Sequence, residues 1–192
     1  MDVIRDYREI LLLIDSIILF HDPNSNGHGL RTSKLARKLA SNLKLSKPII
    51  ENITFAMHVH DIGKIGIAES ILNKITKLTV AERAMIKSHS MSGVEVLRPL
   101  KLHQGIYEIV SQVHENWNGS GYPLGLKEDK ICIGAQIGRI VDYYDSMTNF
   151  RIYREIFSTQ HALEEMEKDS GIAFNPEIFK AFESMILMEY SV

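Results

Sequence analysis

Residues 46–67 decide the fold class: Ser46-Lys47-Pro48-Ile49-Ile50-Glu51-Asn52-Ile53-Thr54-Phe55-Ala56-Met57-His58-Val59-His60-Asp61-Ile62-Gly63-Lys64-Ile65-Gly66-Ile67. Ser46 ahead of Pro48 reads as a helix start, since proline fits a first turn whose N–H would go unpaired anyway. Ile49, Ile53 and Met57 then recur on one stripe, and an end is expected near Gly63. His60 follows Ile53 by seven residues and Ile49 by eleven, so it shares their inward face. A ligand-type side chain stands where an apolar one belongs. Neighbouring helical residues point about 100° apart, so His60 and Asp61 reach one ion only near an open helix end or with the ion between them. Asp61 has two carboxylate oxygens and is the natural bridge between two ions.

The helical period continues in both directions from this stretch. Upstream, an amphipathic helix over Asp2 to Phe20 precedes a breaker cluster at His21 to Gly29, and Leu35, Leu39 and Leu43 mark a second helix. Downstream, Thr79 and Glu82 form a capping-box pattern ahead of Met85 and Ile86. Ile106, Val110 and Val113 make another stripe, ended by Asn118-Gly119-Ser120-Gly121-Tyr122-Pro123. After Ile133, Gly134 and Gly138 give a helix a small face for close packing, and Asn175-Pro176-Glu177 opens the last one. No segment alternates as a strand. The expected class is all-α, a helical bundle.

More polar residues fall on faces that should be apolar. His28 precedes Leu35 and Leu39 by seven and eleven residues, His89 follows Met85 by four, and His114 follows Val110 by four. Asp142 and Asp145 share the small face with Gly138, opposite Ile137, Ile140 and Val141. One inward histidine is ordinarily a hydrogen-bonded core residue. Four on four helices, with Asp61 and Asp142 also inward, imply a shared metal site, because buried carboxylates are costly unless paired or metal-bound. Imidazole and carboxylate without thiolate suit iron, manganese or zinc better than magnesium or copper(I). His21, His103 and His161 lack such company and are expected in solvent, His58 on a helix surface or in packing.

Composition bounds the rest. A chain of 192 residues, 45% hydrophobic and 24% charged, is enough for one globular domain. A net charge of −2 supplies no basic field, so binding of a nucleic acid polymer is not expected, whereas a small anion needs only a few local cations. Cys132 is the sole cysteine, which fits a reducing compartment. Asp15 and Ser16 interrupt the apolar run between Ile10 and Phe20, so neither a signal peptide nor a membrane span is expected and the location is read as cytoplasmic.

Several of these stretches together resemble the HD-GYP family, within the HD-domain superfamily of metal-dependent phosphohydrolases. His60-Asp61-Ile62-Gly63-Lys64-Ile65 looks like the HD-x-GK-I signature, and Trp117 to Pro123 like the loop that names the subfamily. His28-x-x-Arg31 matches an upstream element, Lys77-Leu78-Thr79 a KLT segment, and Val141 to Thr148, followed by Arg151-x-Tyr153-Arg154, the closing one. The resemblance implies an HD-domain helical bundle with the GYP loop as an extension. Residues 28–192 would form the domain, and residues 1–27 a helix and turn packed on it. It implies hydrolysis of cyclic di-GMP, a bacterial signalling nucleotide, to linear pGpG and, after a second cut, GMP. His28, His60, Asp61 and Asp142 would hold one divalent ion, and Asp61 would bridge to a second supported by His89 and His114. Iron or manganese is favoured, with zinc next. Asp61 and Lys64 would carry catalysis, with Lys64, Arg151 and Arg154 on phosphate and Tyr122 shaping the substrate side.

This chain departs from the family pattern at three places. Val113 stands where the loop normally has the first of two histidines, Asn118 where it has an aspartate, and Asn24 where some members have a glutamate. Valine cannot ligate a metal and neutral asparagine does so poorly, so one firmly held ion and a second looser one are expected. Three functional readings therefore stand: an active cyclic di-GMP phosphodiesterase, a degenerate domain that binds nucleotide or a regulatory protein partner without turnover, and a hydrolase of another nucleotide. Arg31 either braces the site through a carboxylate or touches substrate.

Overall fold

Ten α-helices follow one another in the structure, a computed structural model that describes residues 3–149 and 156–190. They are α1 (Val3–His21), α2 (His28–Asn42), α3 (Lys47–Val59), α4 (Glu69–Leu72), α5 (Val80–Lys87), α6 (His89–Leu97), α7 (Gln104–Gln112), α8 (Ile133–Thr148), α9 (Thr159–Glu167) and α10 (Pro176–Tyr190). Among the described residues no strand forms, and one isolated bridge joins Ser170 to Phe174. The all-α expectation holds. Arg151, Tyr153 and Arg154 lie outside the described residues.

α3 is the central rod, packed on α2 along one side and α7 along another, with α8 crossing both α2 and α3. Ile53 and Met57 of α3, Leu39 of α2, Val110 of α7 and Ile137 and Ile140 of α8 are fully buried together. Burying a side chain of this size is worth about 1.5–3 kcal/mol. The small face of α8 works as its spacing suggests. A Cβ at Gly138 would come 2.6 Å from Met57 Sδ and 2.9 Å from Val113 Cγ2, so any larger residue would make these side chains shift for α8 to approach α3 and the end of α7 this closely. α1 adds Ile14 and Ile18 to the same core. None of the described helices is long and apolar enough to cross a membrane.

The stripes were less exact at their ends. Ile49 and Met85 were expected inward but are exposed, since a helical period fixes a face and not how far a neighbouring helix extends along it. α3 also stops at Val59, earlier than the expected end near Gly63. The chain passes through His60 and Asp61 into a 3₁₀ turn at Ile62–Gly66. Gly63 therefore does not end the helix. It permits contact: a Cβ there would overlap the backbone carbonyl of His89 and the backbone nitrogen of Gly93 on α6.

α5 begins as its sequence predicts. Thr79 Oγ1 accepts from Glu82 N at 3.2 Å, and Glu82 Oε2 accepts from Thr79 N at 2.7 Å. Lys74 Nζ donates to the same carboxylate at 2.6 and 2.8 Å. The Lys74 hydrogen bond first, then Thr79, pull the Glu82 carboxyl down to about 2. A carboxyl depressed in the folded state stabilises the fold above its unfolded value of about 4.3 and ceases to do so as pH falls through the folded value. The stability difference between wild type and Glu82→Gln should accordingly be largest at neutral pH and shrink toward zero near pH 2. Urea unfolding of both proteins across that range checks it, and a pH-independent difference would contradict this origin.

Candidate metal centre

Each histidine of the set sits at a helix end. His28 is the first residue of α2, His60 caps α3, His89 opens α6, and His114 follows the residue that caps α7. A side chain at a terminus can point past the end of its helix, and these four ends converge. Asp142 comes from within α8. Asp61 lies in the turn after α3 with φ −89° and ψ 0°, the sparsely used bridge region found at many active sites.

Two groups of ligand atoms result, each within 4.8 Å: His28, His60 and Asp142, and Asp61, His89 and His114. In the first, His28 Nε2 is 3.4 Å from His60 Nε2 and 3.2 Å from Asp142 Oδ1. In the second, His89 Nε2 is 2.9 Å from His114 Nε2 and 3.6 Å from Asp61 Oδ1. Asp61 groups with the second set, yet its two oxygens also lie 3.7 Å from His60 Nε2 and from His28 Nε2. It stands between the groups. Val113, by contrast, is fully buried against the Gly138 face, and Asn118 accepts from Ser120 N in an exposed turn.

The outer nitrogens set the tautomers. Nδ1 of His28 faces Asp145 Oδ2 at 2.7 Å, Nδ1 of His60 the Met57 carbonyl at 2.8 Å, and Nδ1 of His89 the Ile86 carbonyl at 2.6 Å. Carbonyls accept only, so His60 and His89 donate from Nδ1 and turn an Nε2 lone pair inward. Converging imidazole lone pairs and carboxylates, backed by outer acceptors, are the donor set a divalent cation takes. These clusters could hold metal, and the residues fit it.

The electrostatics of the two carboxylates, His89 and His114 agree with that chemistry, while His28, set between Asp142 and Asp145, is shifted toward its protonated form. Burial alone would raise Asp61 and Asp142, but Lys64, His60 and His28 around the first, and His28 and His60 around the second, hold both carboxyls well below the usual range. Burial pushes His28 down, yet its hydrogen bonds with Asp142 and Asp145 carry it up to about 9. Desolvation lowers His89 and His114, which favours the neutral, ligating form. Lys64 Nζ lies 2.7 Å from Asp61 Oδ2 and 3.6 Å from Asp22 Oδ2. Tyr122 stacks on His114 with centroids 5.1 Å apart, and burial raises its hydroxyl.

Asp145, read in the sequence only as a polar residue on the small face of α8, and Glu115 both take roles that were not assigned. Asp145 accepts from Arg31 Nε at 2.7 Å and from Arg31 Nη2 at 3.0 Å while facing His28 Nδ1. Arg31 therefore braces the site through a carboxylate. The buried Glu115 accepts from Leu124 N, Gly125 N and Leu126 N at 2.6–3.1 Å and so holds the far side of the Tyr122 loop. Its sequence signals were its place next to His114 and the glutamate that the resembled loop carries there. His58 is in packing, bonded to Asp15 at 2.9 Å. His21, expected in solvent, is half-buried with Nε2 2.7 Å from the Ile67 carbonyl; His103 and His161 are exposed.

The cavity over these groups measures about 200 Å³ and is lined by Asp61, Lys64, His89, His114, Tyr122 and Asp142, among others. A larger groove, about 940 Å³, lies between α9 and α10 near Leu163 and Glu183 and carries no ligand-type histidine. The chemistry is in the smaller one.

Known proteins share this arrangement of sequence. A cyclic di-GMP phosphodiesterase of Thermotoga maritima is 33% identical over 178 residues, covering 91% of this chain and 48% of its own. A probable cyclic di-GMP phosphodiesterase of Vibrio cholerae is 34% identical over 189 residues, covering 90% and 43%. The chain thus spans about half the length of the curated relatives it matches. The crystal structure of a cyclic GMP-AMP specific phosphodiesterase from V. cholerae superposes with a TM-score of 0.69 over 91% of this chain and 48% of that one, at 20% identity, and shares the fold. A protein-family model described as HD domain matches residues 13–178. The chain belongs to the HD-domain family of phosphohydrolases.

Proposed function

We propose that this chain is a metal-dependent phosphodiesterase of the HD-GYP type that hydrolyses a cyclic dinucleotide, with cyclic di-GMP as the first substrate to test. The carrying observation is the pair of three-ligand groups meeting at Asp61 on the floor of a cavity that also holds Lys64. The names of the relatives, which act on cyclic di-GMP or cyclic GMP-AMP, support the substrate class.

His28, His60 and Asp142 would hold one ion, and Asp61, His89 and His114 a second; iron or manganese suits the donors best, and zinc next. A bound ion would supply Lewis acidity toward the phosphoryl oxygens and a lowered pKa for the attacking water. The residues do the rest. Asp145 fixes the His28 ring, the Met57 and Ile86 carbonyls fix His60 and His89, and Lys64 neutralises Asp61. Tyr122 stacks on His114 and forms part of the cavity wall. Arg151 and Arg154 remain proposed phosphate contacts.

A second reading, binding without turnover, draws on Val113: it is built into the core, where it offers no ligand to either group. One experiment separates the two. Anaerobically purified protein is given cyclic di-GMP with iron, manganese or zinc, and products are resolved by chromatography. Metal-dependent linear pGpG, with or without GMP, is the expected result. No product with any of the three, alongside measurable nucleotide binding, would overturn the enzyme reading.

A further inference from the structure

Arg139 is the one cation of the cavity not yet given a task, and its surroundings suggest one. It precedes Asp142 by three residues on α8, which puts both on one helix face, and it lines the same cavity as Asp61, His89, His114 and Asp142. Lys64, the other cation of that lining, is committed to carboxylates at 2.7 and 3.6 Å. Arg139 is held differently. Its Nε donates to Asn116 Oδ1 at 3.1 Å, and its guanidinium lies over the Tyr143 ring, 5.5 Å from the centroid.

That mounting leaves the Nη1 and Nη2 edge without a hydrogen-bond acceptor or acidic partner among the described residues. A planar guanidinium fixed by one nitrogen and stacked on a ring presents its remaining fork in a set direction, and the fork matches two oxygens of a phosphate. Asn116, which holds the other side of it, also donates to Ser120 Oγ at 3.0 Å in the Tyr122 loop. The loop and the arginine are therefore positioned together.

We propose that Arg139 contacts a phosphate of the bound phosphodiester through its Nη1 and Nη2 edge, and that Asn116 and Tyr143 aim it. This rests on the phosphodiesterase reading for its ligand class and adds a phosphate contact from a residue outside the quoted motifs. Arg139 then adds its positive charge to that of bound metal and of the proposed contacts at Arg151 and Arg154, while Lys64 balances Asp61.

The test uses metal-loaded wild type, Arg139→Gln, Arg139→Lys and Asn116→Ala, with bound metal per chain and far-UV circular dichroism measured for each. Three probes are read: equilibrium binding of inorganic phosphate, hydrolysis of the simple diester bis(p-nitrophenyl) phosphate, and binding of cyclic di-GMP. Charge-assisted hydrogen bonds of this kind predict that Arg139→Gln weakens phosphate and cyclic di-GMP and raises KM for the simple diester by about 10- to 100-fold, with metal content unchanged. Arg139→Lys should recover only part of the loss, because a point charge cannot make the fork. Wild-type affinity for phosphate and diesters in Arg139→Gln would overturn the assignment, as would a loss that tracks loss of bound metal. If the wild type takes phosphate and the simple diester but not cyclic di-GMP, the cyclic dinucleotide reading fails while the Arg139 comparison is still decided by the other two probes.

Discussion

Asp61→Ala is expected to lower phosphodiester hydrolysis by at least about 10³-fold, equivalent to about 4 kcal/mol in the barrier. The reason is position. Asp61 is the one carboxylate with oxygens 3.6 to 3.7 Å from His28, His60 and His89, so its removal takes a ligand from between both groups at once. It also takes from Lys64 its nearer carboxylate, at 2.7 Å, and leaves the more distant Asp22 at 3.6 Å. Asp61→Asn keeps the shape and removes the charge, and should fall nearly as far, with far-UV circular dichroism of both variants like wild type. Bound metal should drop in parallel with rate. Hydrolysis within tenfold of wild type in Asp61→Ala would sink the placement of Asp61 between two ions.

How far the sequence reached depends on what kind of information each feature needs. Val110 on α7, Leu39 on α2 and the glycines of α8 were readable because a period of 3.6 residues is local, and so is the capping box at Thr79 and Glu82. The four histidines and two aspartates were readable because each broke such a period. Asp145 broke one too, but its partners His28 and Arg31 lie 117 and 114 residues away, and no local pattern carries a pairing at that range. Glu115 was hidden for a related reason. Its job is to accept three backbone N–H groups of the loop that follows, and main-chain donors leave no mark on a sequence. Helix ends were the other blind spot: Gly63 looked like a stop signal, and only the packed structure shows the turn lying against α6.

That contact gives the largest expected effect on stability. Gly63→Ala should destabilise the protein by about 3 kcal/mol or more, because the added Cβ meets the His89 carbonyl and the Gly93 backbone nitrogen. A flexible side chain could swing aside, but two backbone segments cannot, so the turn and α6 must separate. For a chain of this size the loss corresponds to a Tm lower by roughly 6–12 °C. Separation also moves His89, whose backbone is the obstacle, away from Asp61, so metal retention should fall with stability. Gly66→Ala is the internal control: the same turn, the same substitution, and no atom within 4 Å of the new Cβ, hence a change within about 1 kcal/mol. Thermal and urea unfolding of the two variants side by side decide it. Equal stability would mean that the turn carrying Lys64 does not rest on α6, and that the second ligand group is held together by something other than this contact.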